Sequence, residues 1–77
     1  MGIMSGLHIV EVDVRDMLGA QALAVLSRAM AQLAGPGALA VRYTTEDVKH
    51  DLFVWAHERG HDARETGATQ LQITRHA

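Results

Sequence analysis

Residues 7–43 read LHIVEVDVRDMLGAQALAVLSRAMAQLAGPGALAVRY, and their changing period decides the fold. From Leu7 to Val14 the apolar residues Val10, Val12 and Val14 alternate with Glu11 and Asp13. Period two with β-branched side chains predicts a half-buried strand. From Ala20 to Ala34 the spacing changes. Ala22, Leu26, Ala29, Met30 and Leu33 fall on one face at helical spacing, and alanine and leucine favour helix. Gly35-Pro36-Gly37 stops that helix, because proline lacks a donor and glycine suits a turn. Leu39, Val41 and Tyr43 then alternate in a second strand over Ala38–Tyr43.

The pattern continues outward from there. Thr44 and Thr45 offer a helix cap, and Glu46 and Asp47 suit the positive end of the helix dipole. Val48, Leu52, Trp55 and Ala56 make the next apolar stripe, with Gly60 as its C-terminal glycine. The remainder predicts a hairpin about Thr66-Gly67-Ala68-Thr69, with Leu71 and Ile73 on one side and Gln70, Gln72 and Thr74 on the other. Residues 1–77 therefore predict a single domain of the α+β class. Its expected form is a two-layer sandwich in the order β-α-β-α-β-β, a four-stranded mixed sheet with two helices on one face and water on the other.

Composition narrows the function. A chain of 77 residues buries only about 60% of its unfolded surface, enough for one modest core but not for a deep active site. Apolar residues make up 48%, and the formal net charge is -2. That charge, with one Phe, one Tyr and one Trp, argues against nucleic-acid binding. No cysteine is present, so disulfides, thiolate metal sites and persulfide chemistry are excluded. Met1–Gly6 lacks the charged start and apolar block of a signal peptide, and no apolar run approaches the roughly 20 residues of a membrane helix. A soluble, cytoplasmic protein is expected.

Several motifs carry a possible chemistry. His57-Glu58-Arg59-Gly60-His61 matches the zinc-protease string His-Glu-x-x-His, which requires both histidines on one continuous helix and a third ligand. Gly60 is expected to end the helix first, leaving a helix end followed by a histidine. His50 and His57 are seven residues apart and share a helix face, where Asp47 or His61 could join them around a metal, but solvated histidines are the expected reading. Asp13 and Arg15 are expected to pair or to cap the loop into the first helix; the functional alternative is that Arg15 receives an anionic ligand or a partner carboxylate. No phosphate loop or catalytic triad is present, so no catalytic residue, metal or cofactor is expected.

These residues also resemble the TusA/SirA family of small sulfur carriers, over roughly residues 9 to 75. The family pattern places Asp-x-Arg after the first strand, Cys-Pro-x-Pro at the start of helix one, then a Gly-rich turn, an Asp-Ile-Pro-x-x on helix two, and a Gly-His pair at its end. Asp13 and Arg15 resemble the first element, and Ala29 and Met30 resemble an Ala-Leu late in helix one. Asp51, Trp55 and Gly60-His61 resemble the rest. The departure is central: Gly19-Ala20-Gln21-Ala22 stands where the family has Cys-Pro-x-Pro, and Phe53 stands where it has proline. The resemblance implies the fold and makes Gly19 the former carrier position. It does not carry over sulfur transfer, since glycine has no side chain to bear sulfur.

A non-enzymatic protein-interaction or regulatory module, related to sulfur trafficking or redox, is therefore expected. Its partner would be another protein or a second copy in a homodimer. The candidate contact residues are Arg15, His50, Phe53, Val54 and His57, with Phe53 and Val54 as an outward apolar pair and the alanine-rich face of helix one as a second surface. A metal-binding or other non-cysteine carrier or enzyme is the alternative, and an RNA-binding module a less favoured one.

Overall fold

The computed structural model describes residues 8–33 and 37–75. The elements run β1 (His8–Asp13), α1 (Gly19–Gln32), β2 (Gly37–Arg42), α2 (Glu46–Glu58), β3 (Asp62–Gly67) and β4 (Gln70–Arg75). This is the expected β-α-β-α-β-β order. Met1–Gly6 and most of Gly35-Pro36-Gly37 lie outside the described residues.

The four strands form one mixed sheet in the order β1-β2-β4-β3. β1 and β2 are parallel, so a crossover must join them, and α1 supplies it. β4 runs antiparallel to both β2 and β3 and inserts between them. The hairpin turns at Ala68 and Thr69, and the register shifts between Glu65 and Gly67, so β3 carries a bulge just before the turn. Tyr43 N–H donates to the Thr69 carbonyl over 3.1 Å and ties that turn to the end of β2.

Register explains the core. Val12 pairs with Val41, and Val41 with Leu71. Leu39 pairs with Ile73, and Ile73 with Ala63. Because strand side chains alternate, these positions share one face of the sheet. They join Ala22, Leu26 and Met30 of α1 and Val48, Leu52, Trp55 and Ala56 of α2 in a single cluster. Leu26, Leu39, Leu52 and Leu71 are fully buried. Each such side chain stabilises the fold by about 1.5–3 kcal/mol relative to exposure.

Helix α2 starts and stops as its local sequence dictates. Thr45 is the N-cap, its Oγ1 accepting from Val48 N–H at 3.3 Å, an interaction worth about 1 kcal/mol. Thr44, the other expected cap, instead accepts from Asp16 N–H through its Oγ1 at 3.3 Å. At the far end Gly60 has φ of 75°. His61 N–H donates to the Ala56 carbonyl at 2.9 Å and Gly60 N–H to that of His57 at 3.1 Å, the paired bonds of a Schellman ending. Neither helix is long and apolar enough to cross a membrane.

Candidate functional site

The loop from β1 into α1 is built around Asp13. Its carboxylate accepts from Arg15 Nε at 3.0 Å, from Arg15 Nη2 at 2.7 Å and from the Arg15 backbone N–H at 3.0 Å. The guanidinium bonds, then the backbone bond, hold the Asp13 pKa down to about 2, and the side-chain bonds to Asp13 raise that of Arg15. Arg15 therefore already has a bidentate carboxylate partner. Asp13, Arg15, Asp16 and Thr44 line a shallow hollow, with Asp16 in a left-handed conformation at φ 68°.

Gly19 opens α1, and the structure brings Asp51 of α2 to it. The Asp51 carboxylate lies in the space a β-carbon on Gly19 would need. A negative group at a helix start complements the dipole, and α1 has no acidic residue in its own first turn. Leu18, the N-cap residue, has no side-chain acceptor; its N–H donates to Gln21 Oε1 at 3.4 Å. Leu18 itself is 76% exposed.

The predicted contact face of α2 changes character. His50, Val54 and His57 are exposed, but Phe53 is half-buried and packs against the core. Phe53 shares a hollow with His57, His61, Asp62 and Ala63, so its ring tucks toward the start of β3 instead of standing outward. The outward apolar pair thus reduces to Val54, 41% exposed. His57 and His61 lie on opposite sides of the Gly60 reversal, so the His-Glu-x-x-His string does not occupy one continuous helix. Among the described residues no three His, Asp or Glu side chains converge as metal ligands.

Two features escaped the sequence reading. The first is a hollow lined by Ser27, Met30, Ala31, Trp55, Arg59, His61 and Arg75. The Arg59 guanidinium stands over the Trp55 ring at 5.2 Å, and the His61 ring lies tilted beside it at 5.8 Å. Arg75 Nη1 donates to the carbonyls of Met30 at 3.3 Å and Leu33 at 2.8 Å, which ties the end of β4 to the end of α1. Trp55 Nε1 is buried without a hydrogen-bond partner among the described residues. The four-residue spacing of Trp55 and Arg59 on a helix was a legible signal for part of this group; nothing local to Arg75 announced the rest.

The second is the contrast between the sheet's edges. β1 exposes Ile9 (56%) and Val10 (41%), and a groove beside it is lined by Val10, Val12, Val25 and Ala29 together with the polar Glu11, Asp13, Arg28 and Gln32. β3 instead carries Asp62, Arg64 and Glu65, a bulge, and an ion pair from Glu65 to Lys49 of α2. That ion pair raises the Lys49 pKa. Behind it the Tyr43 phenol is buried without a hydrogen-bond partner among the described residues, and burial raises its pKa.

Compared with protein-family models, curated proteins and solved structures, the chain matches none.

Proposed function

We propose that this chain is a non-enzymatic protein-binding module of TusA/SirA-like descent, and that it binds through its β1 edge without carrying sulfur. The observation that carries the reading is the unequal treatment of the two edges. An edge strand presents unpaired backbone donors and acceptors, and proteins guard such edges with charge and bulges. β3 has both guards. β1 has no bulge and is more lightly charged: Ile9 and Val10 are exposed beside the carboxylate of Glu11, and Asp13 at its end is held by Arg15. The absence of cysteine, and the carboxylate standing against Gly19, support the non-carrier half of the reading.

The occupant is a second copy of the chain, paired antiparallel about a two-fold axis at Val10. That register sets Val10 against Val10 and Ile9 against the aliphatic stem of Glu11. An axis at Glu11 would oppose two carboxylates directly, which is destabilising. Opposed antiparallel residues have Cα atoms about 4.5–5.5 Å apart, within disulfide range. In a cysteine-free chain, Val10→Cys introduces a single thiol. Mild oxidation should give a covalent dimer much faster than for Val54→Cys on α2. Equal rates, together with a monomer by sedimentation of the unmodified chain, would sink the proposal.

A further inference from the structure

Trp55, Arg59 and Arg75 gather where three separate ends meet: the ends of α1, α2 and β4. The charge there runs against the rest of the molecule. The chain has a formal net charge of -2, and the other hollows described on its surface each have a carboxylate in their walls: Asp13 and Asp16 in one, Glu11 and Asp13 in another, Asp62 in two more. Among the described residues this hollow has none. Among the described residues neither arginine has a carboxylate partner, since the ion pairs join Arg15 to Asp13 and Lys49 to Glu46 and Glu65.

The donors are also positioned. Stacking on the indole restricts the Arg59 guanidinium, which lowers the entropy lost when its N–H groups engage a ligand. Arg75 is fixed by two carbonyl acceptors on Nη1, while its Nε and Nη2 make no hydrogen bond among the described residues. Ser27 adds a hydroxyl to the wall. The Trp55 Nε1–H is a buried donor with no partner, a state that calls for an explanation and that a bound acceptor would relieve. Two guanidinium groups with spare N–H and a hydroxyl thus line the hollow beside a buried indole N–H, and among the described residues no carboxylate lies between them.

We infer that this hollow is a binding site for a small-molecule oxyanion, a phosphate or carboxylate group held between Arg59 and Arg75 against Trp55. Guanidinium groups recognise both anions through paired, charge-assisted N–H···O bonds. The site lies on other elements than the β1 edge and stands without the pairing proposed there.

Trp55 is the only tryptophan, so its fluorescence and its single indole N–H resonance report the site directly. The probes are inorganic phosphate and acetate, each titrated at constant ionic strength held with sodium chloride. Saturable movement of the indole N–H resonance with phosphate, or with acetate, is the expected result, and whichever saturates at lower concentration names the preferred group. Arg59→Gln, an exposed substitution, should weaken binding at least tenfold while the circular dichroism stays unchanged. Arg42→Gln, an exposed arginine on β2, should leave binding unaltered. No saturation with either probe, an equal response to chloride alone, or equal weakening by Arg42→Gln would overturn the inference.

Discussion

Helices α1 and α2 end in opposite ways. α2 carries its own terminators: Thr45 accepts from Val48 N–H, Glu46 and Asp47 fill the first turn, and Gly60 reverses the chain into paired carbonyl bonds. α1 has Leu18 at its start, no acid in its first turn and no base in its last. Its ends are served from elsewhere, by Asp51 against Gly19 and by Arg75 on the carbonyls of Met30 and Leu33. The groups that finish α2 lie within five residues of the bonds they make. Those that finish α1 lie 32 positions (Gly19 to Asp51) and 45 positions (Met30 to Arg75) away. One helix is complete in its own sequence, and the other depends on the assembled fold.

The contrast breaks most visibly at Arg75. Arg75→Ala should lower stability by about 1.5–3 kcal/mol, the range for hydrogen bonds from a charged donor. Urea unfolding measures the loss, and amide exchange should quicken in the last turn of α1 more than in α2. A loss below about 0.5 kcal/mol would mean that water serves those carbonyls equally well. At the matching end of α2, Gly60→Ala should cost about 1–2 kcal/mol, the penalty for a β-carbon in the left-handed region. No atom lies within 4 Å of the added carbon, so the cost is conformational, and Gly60→Asn should cost less. A neutral Gly60→Ala would show that the Schellman bonds do not hold this helix end.

The smallest effect tests the borrowed start of α1. Gly19→Ala should gain helix propensity of about 0.5–1 kcal/mol but must displace the Asp51 carboxylate. The single substitution is expected near zero or slightly destabilising, and stabilising in an Asp51→Ala background. A double-mutant cycle by thermal unfolding should give a coupling of about 0.5–1 kcal/mol. Strict additivity would mean the carboxylate swings aside freely.

Much of this was legible in one dimension. Alternation at Leu71 and Ile73, the 48-52-55-56 stripe of α2 and the Gly60 ending depend on neighbours within a few residues, so period and turn chemistry fixed them. Phe53 was read as outward because a helical wheel knows the helix's own faces but not what lies beside them. The start of β3, with Ala63, approaches that flank and half-buries the ring.

The sequence by itself determined the order of the elements, the apolar faces they bury, the self-contained ends of α2 and the absence of any thiol. Only the tertiary structure decided which strands are edges, since β4 enters between β2 and β3 and leaves β1, with Ile9 and Val10 exposed, and the more highly charged β3 outermost among the described residues. It alone placed Asp51 on Gly19 and brought Arg75 to the end of α1 beside Trp55 and Arg59. The physical reason is range. A cap, a turn or a hydrophobic face is set by bonds and sterics a few residues long, whereas these meetings exist only after the sheet has folded the two halves of the chain together.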